Sequence, residues 1–172
     1  MSLDMWGIAQ WIIIAVAFQR LLELFLAKRN TSRLIAEGAV EIGHGHYYPI
    51  VMLHAGWLIA LFLRIPAEIA VNWWLIGVFV LLQIARIWVI ASLGRFWTTR
   101  IITLPDAPLV TNGPYRWFRH PNYIIVALEL AILPLAFSDL IVAMSFSVAN
   151  IVLMFFRIPL ENRILEERRP EN

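Results

Sequence analysis

The sequence contains no cysteine. That excludes a disulfide scaffold, a thiol nucleophile and cysteine-based zinc or iron–sulfur sites, and it leaves the redox compartment open. Charge is scarce as well: 15% of residues are Asp, Glu, Lys or Arg, against about 25% in soluble domains. The formal net charge of +2 is too small to imply a nucleic-acid partner. Internal repeats, low-complexity segments and linkers long enough to separate domains are all absent, so residues 1–172 read as a single domain.

What fills the chain instead is apolar. Sixty per cent of the 172 residues are hydrophobic and the mean hydropathy is +0.72, where soluble domains run at about 45–50% apolar. A globule of this size keeps about a third of its unfolded surface exposed, so much of that excess would face water. Lipid is the alternative solvent, and the expected architecture is an all-α, polytopic membrane helical bundle.

Five apolar runs serve as spans: Trp6–Ala27, Tyr48–Leu63, Trp73–Leu93, Tyr123–Phe137 and Leu140–Phe156. The first is long enough to cross a hydrocarbon core of about 30 Å at about 1.5 Å per residue. It does not read as a cleaved signal peptide, because Asp4 stands where basic residues would be expected and no small-residue cleavage site follows. The second and the last two runs are short. Pro134 is expected to kink or end the fourth, and Ser138 and Asp139 to turn a hairpin between the last two.

Eleven of the 14 basic residues fall on one side of this arrangement: Lys28, Arg29, Arg33, Arg95, Arg100, Arg116, Arg119, Arg157, Arg163, Arg168 and Arg169. Only Arg64 falls on the other. The positive-inside rule makes the rich side cytoplasmic, with the N-terminus outside and the C-terminus inside, as an odd number of spans requires. Trp6, Trp57, Trp73, Trp74 and Trp97 lie near span ends and suit interfacial belts. The two long polar stretches, 28–47 and 94–122, are then both cytoplasmic. An integral protein of a bacterial inner membrane, working at its inner face, fits this layout.

Several polar groups interrupt the apolar runs: Gln19, Arg20 and Glu23 in the first, Gln83 and Arg86 in the third, Glu129 in the fourth. They could form a polar site, since charges inside a bilayer are costly, or serve as glue between helices. Glue is the reading for Arg20, Glu23 and Gln83, with Arg20 and Glu23 reaching toward the cytoplasmic interface; Glu129 stays open. His44, His46 and His54 invite a metal or haem reading. No carboxylate–histidine motif accompanies them and GHGHYYP is turn-like, so a histidine lining a substrate mouth or bonding at the interface is preferred, and no metal is expected.

The stretch LVTNGPYRWFRHPNY, Leu109 to Tyr123, combines an Asn112-Gly113-Pro114 turn, alternating basic and aromatic residues, and Pro121 at a position that opens a helix. A plain headgroup anchor would need neither the turn nor the histidine. Donors, aromatic faces and a helix N-terminus gathered in one place suit a carboxylate and a nucleobase. After the fifth run comes RIPLENRILEERR, in which Arg157 and Glu161 share a helical face, and Pro159 is expected to distort that turn.

A GPY turn, RHPxY, an apolar hairpin and RIxxE, in that order, resemble the isoprenylcysteine carboxyl methyltransferase family and the related phospholipid N-methyltransferases, integral membrane enzymes that use S-adenosylmethionine. The resemblance covers about residues 93–165. It implies that Leu109 and Val110 line the cofactor pocket, that Tyr115 contacts the adenosyl group, and that His120, Pro121, Asn122 and Tyr123 form the core of the cofactor cradle. It further implies that Glu161 holds the cofactor's α-amino group and that Arg157 is the catalytic residue facing the substrate. The family often has two adjacent acids in the last motif; here Asn162 follows Glu161, and Glu166 and Glu167 come later.

No glycine fingerprint follows a strand, so a dinucleotide-style methyltransferase domain is absent and the cofactor would sit between helices and a loop. Methyl transfer from a sulfonium can draw its catalysis from proximity and orientation. A carboxylate acceptor needs no base; a phenol, enol or amine needs one, and His46, Tyr47, His120 and Glu129 are candidates. The acceptor is expected to be a lipophilic small molecule or a lipidated substrate. EIGHGHYYP is similar to the matching segment of bacterial relatives proposed to O-methylate alkylpyrone or phenolic lipids. A non-catalytic lipid- or haem-binding or transport protein and an NADPH-dependent membrane reductase remain the alternatives.

Overall fold

The computed structural model describes residues 6–43, 45, 47–105 and 107–167. It is 75% helical. Five α-helices appear among the described residues: α1 Ile8–Ala36, α2 Tyr47–Arg64, α3 Trp73–Leu93, α4 Pro121–Ala136 and α5 Leu140–Glu167. Among the described residues, α1, α2, α3 and α5 are each long and apolar enough to cross a membrane. At 16 residues, α4 rises only about 24 Å as a helix and falls short of that length.

Two helices run past the apolar stretches that define them. Helix α1 continues nine residues beyond Ala27 to Ala36, and α5 passes Phe156 and carries the whole of RIPLENRILEE. Pro159 lies inside α5; it removes one backbone donor without ending the helix. Pro134, by contrast, lies two residues from the end of α4, whose last carbonyls bond back to Phe137, Ser138 and Asp139.

The α4–α5 hairpin turns at Ser138 and Asp139, as its sequence suggests. Ser138 adopts φ 58°, a left-handed conformation uncommon outside glycine. Asp139 then starts α5: its Oδ1 accepts from the Val142 amide at 3.0 Å, and Arg64 Nε donates to its Oδ2 at 2.8 Å. The single basic residue at this end of the bundle is thereby tied to the hairpin.

One element has no sequence signal long enough to announce it. Val40–Ile42 (β1) pairs antiparallel with Ile101–Thr103 (β2), with Val40 opposite Thr103 and Ile42 opposite Ile101. Arg100 reinforces the ribbon, donating to Glu41 Oε2 at 2.7 Å and stacking over the Tyr47 ring at 4.6 Å. That hydrogen bond raises the Arg100 pKa above its ordinary value. Asn30 near the end of α1 donates to the carbonyls of Gly94 and Trp97 at 3.1 and 2.9 Å, so the 94–120 segment is held down at its start.

Apolar packing occurs in two layers. The larger joins Ile13 and Val16 of α1, Trp57 and Leu61 of α2, Phe79 of α3, and Leu130 and Leu133 of α4 with Phe137 and Val142 at the hairpin. The smaller, toward the loop end, joins Ala27, Val89, Trp97 and Ile125. Trp57 and Trp97 are therefore core residues and not interfacial, at 0% and 3% exposure, Trp57 on the inner face of α2 and Trp97 in the extended residue after the Gly94–Phe96 turn, held by Asn30; Trp73 and Trp74 are exposed at the start of α3. Phe18, Phe25, Leu63, Ile141 and Phe155 face outward, the surface lipid would cover.

Burial pulls the Asp139 carboxyl upward, but the Arg64 hydrogen bond and charge and the Val142 amide outweigh it and hold it below the ordinary value. Asp139→Ala is expected to cost about 1 kcal/mol through the lost cap, read by chemical unfolding in detergent. A depressed folded pKa gives stability that is complete above the free value of about 4 and is lost as pH falls through the folded one. The gap between the two proteins should be constant at neutral pH and shrink below about pH 4.

Candidate functional site

Between the two apolar layers lies a buried charged cluster drawn from three helices. Arg20 Nη1 donates to Glu23 Oε2 at 2.9 Å, and its Nη2 lies 2.8 Å from Glu129 Oε2. Arg86 Nη2 donates to Glu23 Oε2 at 2.7 Å, and its Nη1 to Glu129 Oε2 at 3.3 Å and to Asn122 Oδ1 at 3.3 Å. Gln19 and Gln83 close the ring, Gln19 donating to Gln83 Oε1 at 2.8 Å and Gln83 to Glu129 Oε1 at 2.7 Å. Two guanidiniums and two carboxylates balance to zero. All four are less than one-tenth exposed, so Arg20 and Glu23 do not reach for the interface. Their charges are satisfied more cheaply by α3 and α4.

Arg20, Glu23 and Arg86 of this cluster line a cavity of about 670 Å³ that extends to residues 96–111 of the loop. Leu109, Val110, Tyr115, His120, Asn122, Tyr123, Arg157 and Glu161 all line it; Pro121 does not, being buried at the first turn of α4. Sequence segments 38 residues apart meet here. Tyr123 donates from its hydroxyl to Glu161 Oε2. Arg157 Nε donates to the same hydroxyl at 2.8 Å, and its Nη2 to the Thr99 carbonyl at 2.8 Å. The His120 ring stacks on that of Tyr123, centroids 5.2 Å apart and 16° from parallel, with Nδ1 3.7 Å from Glu161 Oε1.

The NGP turn explains how the loop is seated. Gly113 has φ +57°, and a Cβ there would lie 2.2 Å from Ser92 Oγ, so the turn sits flush against the end of α3. The following residues, Gly113–Arg116, form one tight helical turn that brings Tyr115 inward. Burial, and then the Glu161 charge, push the Tyr115 phenol above its ordinary value. It stays protonated and can donate.

Asn162, which stands where the second acid is often found, has a place of its own: its Oδ1 accepts from His120 Nε2 at 2.8 Å. Among the described residues the cavity also takes in Trp97, Thr99, His54 and Asn150, which no short motif marks. His54 had a signal only as one of three histidines. It belongs to α2 and not to the loop. His44 and His46 lie outside the described residues. No group of three or more His, Asp or Glu side chains is arranged to hold a metal among the described residues.

Apolar helices around a largely apolar cavity that carries acids, arginines and stacked aromatic rings are the features of a membrane protein with an internal binding chamber. Residues 75–167 match the model of the isoprenylcysteine carboxyl methyltransferase (ICMT) family. The uncharacterized protein YpbQ of Bacillus subtilis (strain 168) is 37% identical over 166 residues, covering 91% of this chain and 96% of its own. The chain is thus of the membrane methyltransferase class. It belongs to the isoprenylcysteine carboxyl methyltransferase family, whose members generally use S-adenosylmethionine.

Two variants probe the frame of the site. Glu129→Leu leaves Arg20 and Arg86 sharing one carboxylate and is expected to cost about 3–5 kcal/mol; adding Arg20→Leu restores neutrality and should recover most of it, seen as folded protein surviving heating in detergent. Gly113→Ala forces a side chain into the left-handed region, costing about 1–2 kcal/mol, and should speed proteolysis within residues 111–119.

Proposed function

We propose that the protein is an S-adenosylmethionine-dependent methyltransferase that acts on a hydroxyl or carboxylate of a lipophilic acceptor at the cytoplasmic face of a bacterial inner membrane. All of residues 1–172 serve as one domain, with five spans and the N-terminus outside. Helix α4 is a short span, sheltered by its packing on α3 and α5. The partners are membrane lipids and the acceptor, not nucleic acid. The observation that carries the reading is one cavity joining Tyr115, His120, Tyr123 and Glu161 to a wall of apolar helix surface.

The donor set suits the cofactor. Glu161 is a half-buried carboxylate at the loop end, able to face an α-ammonium group; Tyr115 keeps its proton for a purine or ribose acceptor; Leu109 and Val110 offer apolar contact to a base. A cavity of about 670 Å³ falls within the usual range of about 300–1,000 Å³ for ligand sites. When bound, the cofactor supplies an electrophilic methyl group on a sulfonium.

The chain's own task is positioning. Arg157 is fixed by Tyr123 on one side and the Thr99 carbonyl on the other, so its Nη1, which bonds to none of the described residues, can orient an acceptor oxygen without losing the fork geometry. Tyr123 in turn links Arg157 to Glu161, making the acceptor-facing cation and the cofactor-facing acid parts of one hydrogen-bonded unit. Asn162 holds His120 in the stack. The apolar helices admit a greasy acceptor from the side while the loop end admits a polar ligand from water.

Calorimetric titration with S-adenosylhomocysteine in detergent tests this. Glu161→Ala should weaken binding by about 10–100-fold, the value of a hydrogen bond to a charged group, while leaving the protein folded. Unchanged affinity in that variant, or no binding by the wild type, would sink the assignment.

A further inference from the structure

Helices α3 and α4 run antiparallel and in step. The Asn72 amide donates to the Ala136 carbonyl at 2.9 Å, and Arg86 Nη1 donates to Asn122 Oδ1 at 3.3 Å. The end of α4 is therefore level with the start of α3, and the first turn of α4 is level with Ile87 and Trp88. Because α3 has 21 residues and α4 has 16, α3 rises about 7.5 Å past the start of α4. The chain fills that step. Residues 113–119 fold back along α3: a Cβ on Gly113 would lie 3.3 Å from Trp88 Nε1, and the Trp117 ring meets the Trp88 ring edge-on, centroids 5.9 Å apart.

The segment has two faces. Tyr115, Arg119 and His120 reach the cavity, whereas Arg116, Trp117, Phe118 and most of Arg119 are exposed. At 63% and 53% exposure, Trp117 and Phe118 extend the apolar surface that Trp88 and Ile124 also present to the outside. Irregular backbone at membrane depth is tolerated where its other side is buried in protein or lines a cavity, and here it does. The cations are unclaimed. Arg116 bonds to none of the described residues, and Arg119 meets only Glu166 among them, at 3.9 Å, with both side chains more than six-tenths exposed. Between Asp106 and Glu129 the sequence has no acid.

Two exposed rings between two guanidiniums, at the depth where α4 begins and α3 still has more than a turn to run, match the bilayer layer in which acyl chains give way to phosphates. Aromatic rings favour that level, and an arginine fork takes phosphate oxygens two at a time. We propose that Arg116, Trp117, Phe118 and Arg119 bind the headgroup of an anionic phospholipid, the rings lying among the upper chain carbons and the guanidiniums on phosphate. Positive charge without a local acid selects an anionic lipid over a zwitterionic one. The NGP turn and His120, which an anchor alone would not require, belong to the inner face. Headgroup and cavity are then separated by a single thickness of chain, so a lipid on the outer face steadies Tyr115 and His120 on the inner one. On the methyltransferase reading above, on which this last step rests, anionic lipid tightens cofactor binding.

The absence of cysteine allows a single label. Phe118→Cys carrying a bimane fluorophore is reconstituted in phosphatidylcholine vesicles doped with brominated phosphatidylglycerol or, separately, with brominated phosphatidylcholine. The charged lipid should quench at a concentration about 5–25-fold lower, a factor of about five for each cation at an anionic surface. Adding Arg116→Gln and Arg119→Gln should abolish the preference; Arg116→Lys with Arg119→Lys keeps the charge and should keep most of it. If the glutamine pair does not fold, salt tests the unaltered arginines: raising it should erase the preference, and a preference indifferent to salt overturns the proposal. Equal quenching by the two lipids, quenching by neither, or a preference that survives the glutamine pair also overturns it. In nanodiscs, S-adenosylhomocysteine should bind the wild type up to about fivefold more tightly when phosphatidylglycerol is present, and the glutamine pair equally in both. Equal wild-type affinities overturn the link between headgroup and cavity. No binding in either composition, with the quenching preference intact, overturns the methyltransferase reading and not the lipid site.

Discussion

The four-membered ion cluster of Arg20, Glu23, Arg86 and Glu129 is the constraint on which the rest of the bundle depends. Helices in lipid gain no hydrophobic free energy from meeting one another, so their contacts must come from close packing and polar pairing. Here three helices each bring charges that would be costly alone, and the observed arrangement neutralises all four. Register and rotation of α1, α3 and α4 follow from that requirement. The apolar layers on either side of the cluster lower the local dielectric and strengthen the pairing.

Because α4 is fixed by Glu129 halfway along its length, its N-terminal turn is fixed too. That turn carries His120 and Tyr123, and Arg86 reaches from the cluster to Asn122. The cavity-facing stack of His120 on Tyr123 is thus a direct extension of the structural core. Helix α5 completes the geometry from the other side: its unbroken passage through Pro159 keeps Arg157 and Glu161 one turn apart, where both meet the Tyr123 hydroxyl.

Much of this was legible in the residues. Hydropathy located the five helices of the described residues, with α3 at its observed limits, and LVTNGPYRWFRHPNY and RIPLENR were readable as meeting; of the nine residues singled out in them, all but Pro121 line one cavity. Length was less readable than position. The polar extensions of α1 and α5 carry no apolar signal, and α4 is apolar throughout yet too short to meet a spanning criterion by itself. The β1–β2 ribbon was invisible because three-residue strands depend on a partner 60 residues away and not on local pattern. The members of the charged cluster stood out only as polar groups interrupting apolar runs; that they close into one ring required the helices' rotation, which periodicity does not give when nearly every face is apolar. Asn162 looked like a missing acid until His120 was seen bonded to it.

The ribbon has a consequence for how the chain tolerates change. Side chains of a strand alternate between faces, so a shift of one residue reverses every one of them. Glu41 meets Arg100 only while Val40 stays opposite Thr103. The loop from α1 to α2 and the loop from α3 to α4 are therefore spliced into a single frame with a shared reading register. Insertions and deletions that a free loop would absorb one at a time can be accommodated here only outside the paired residues, or in both loops together.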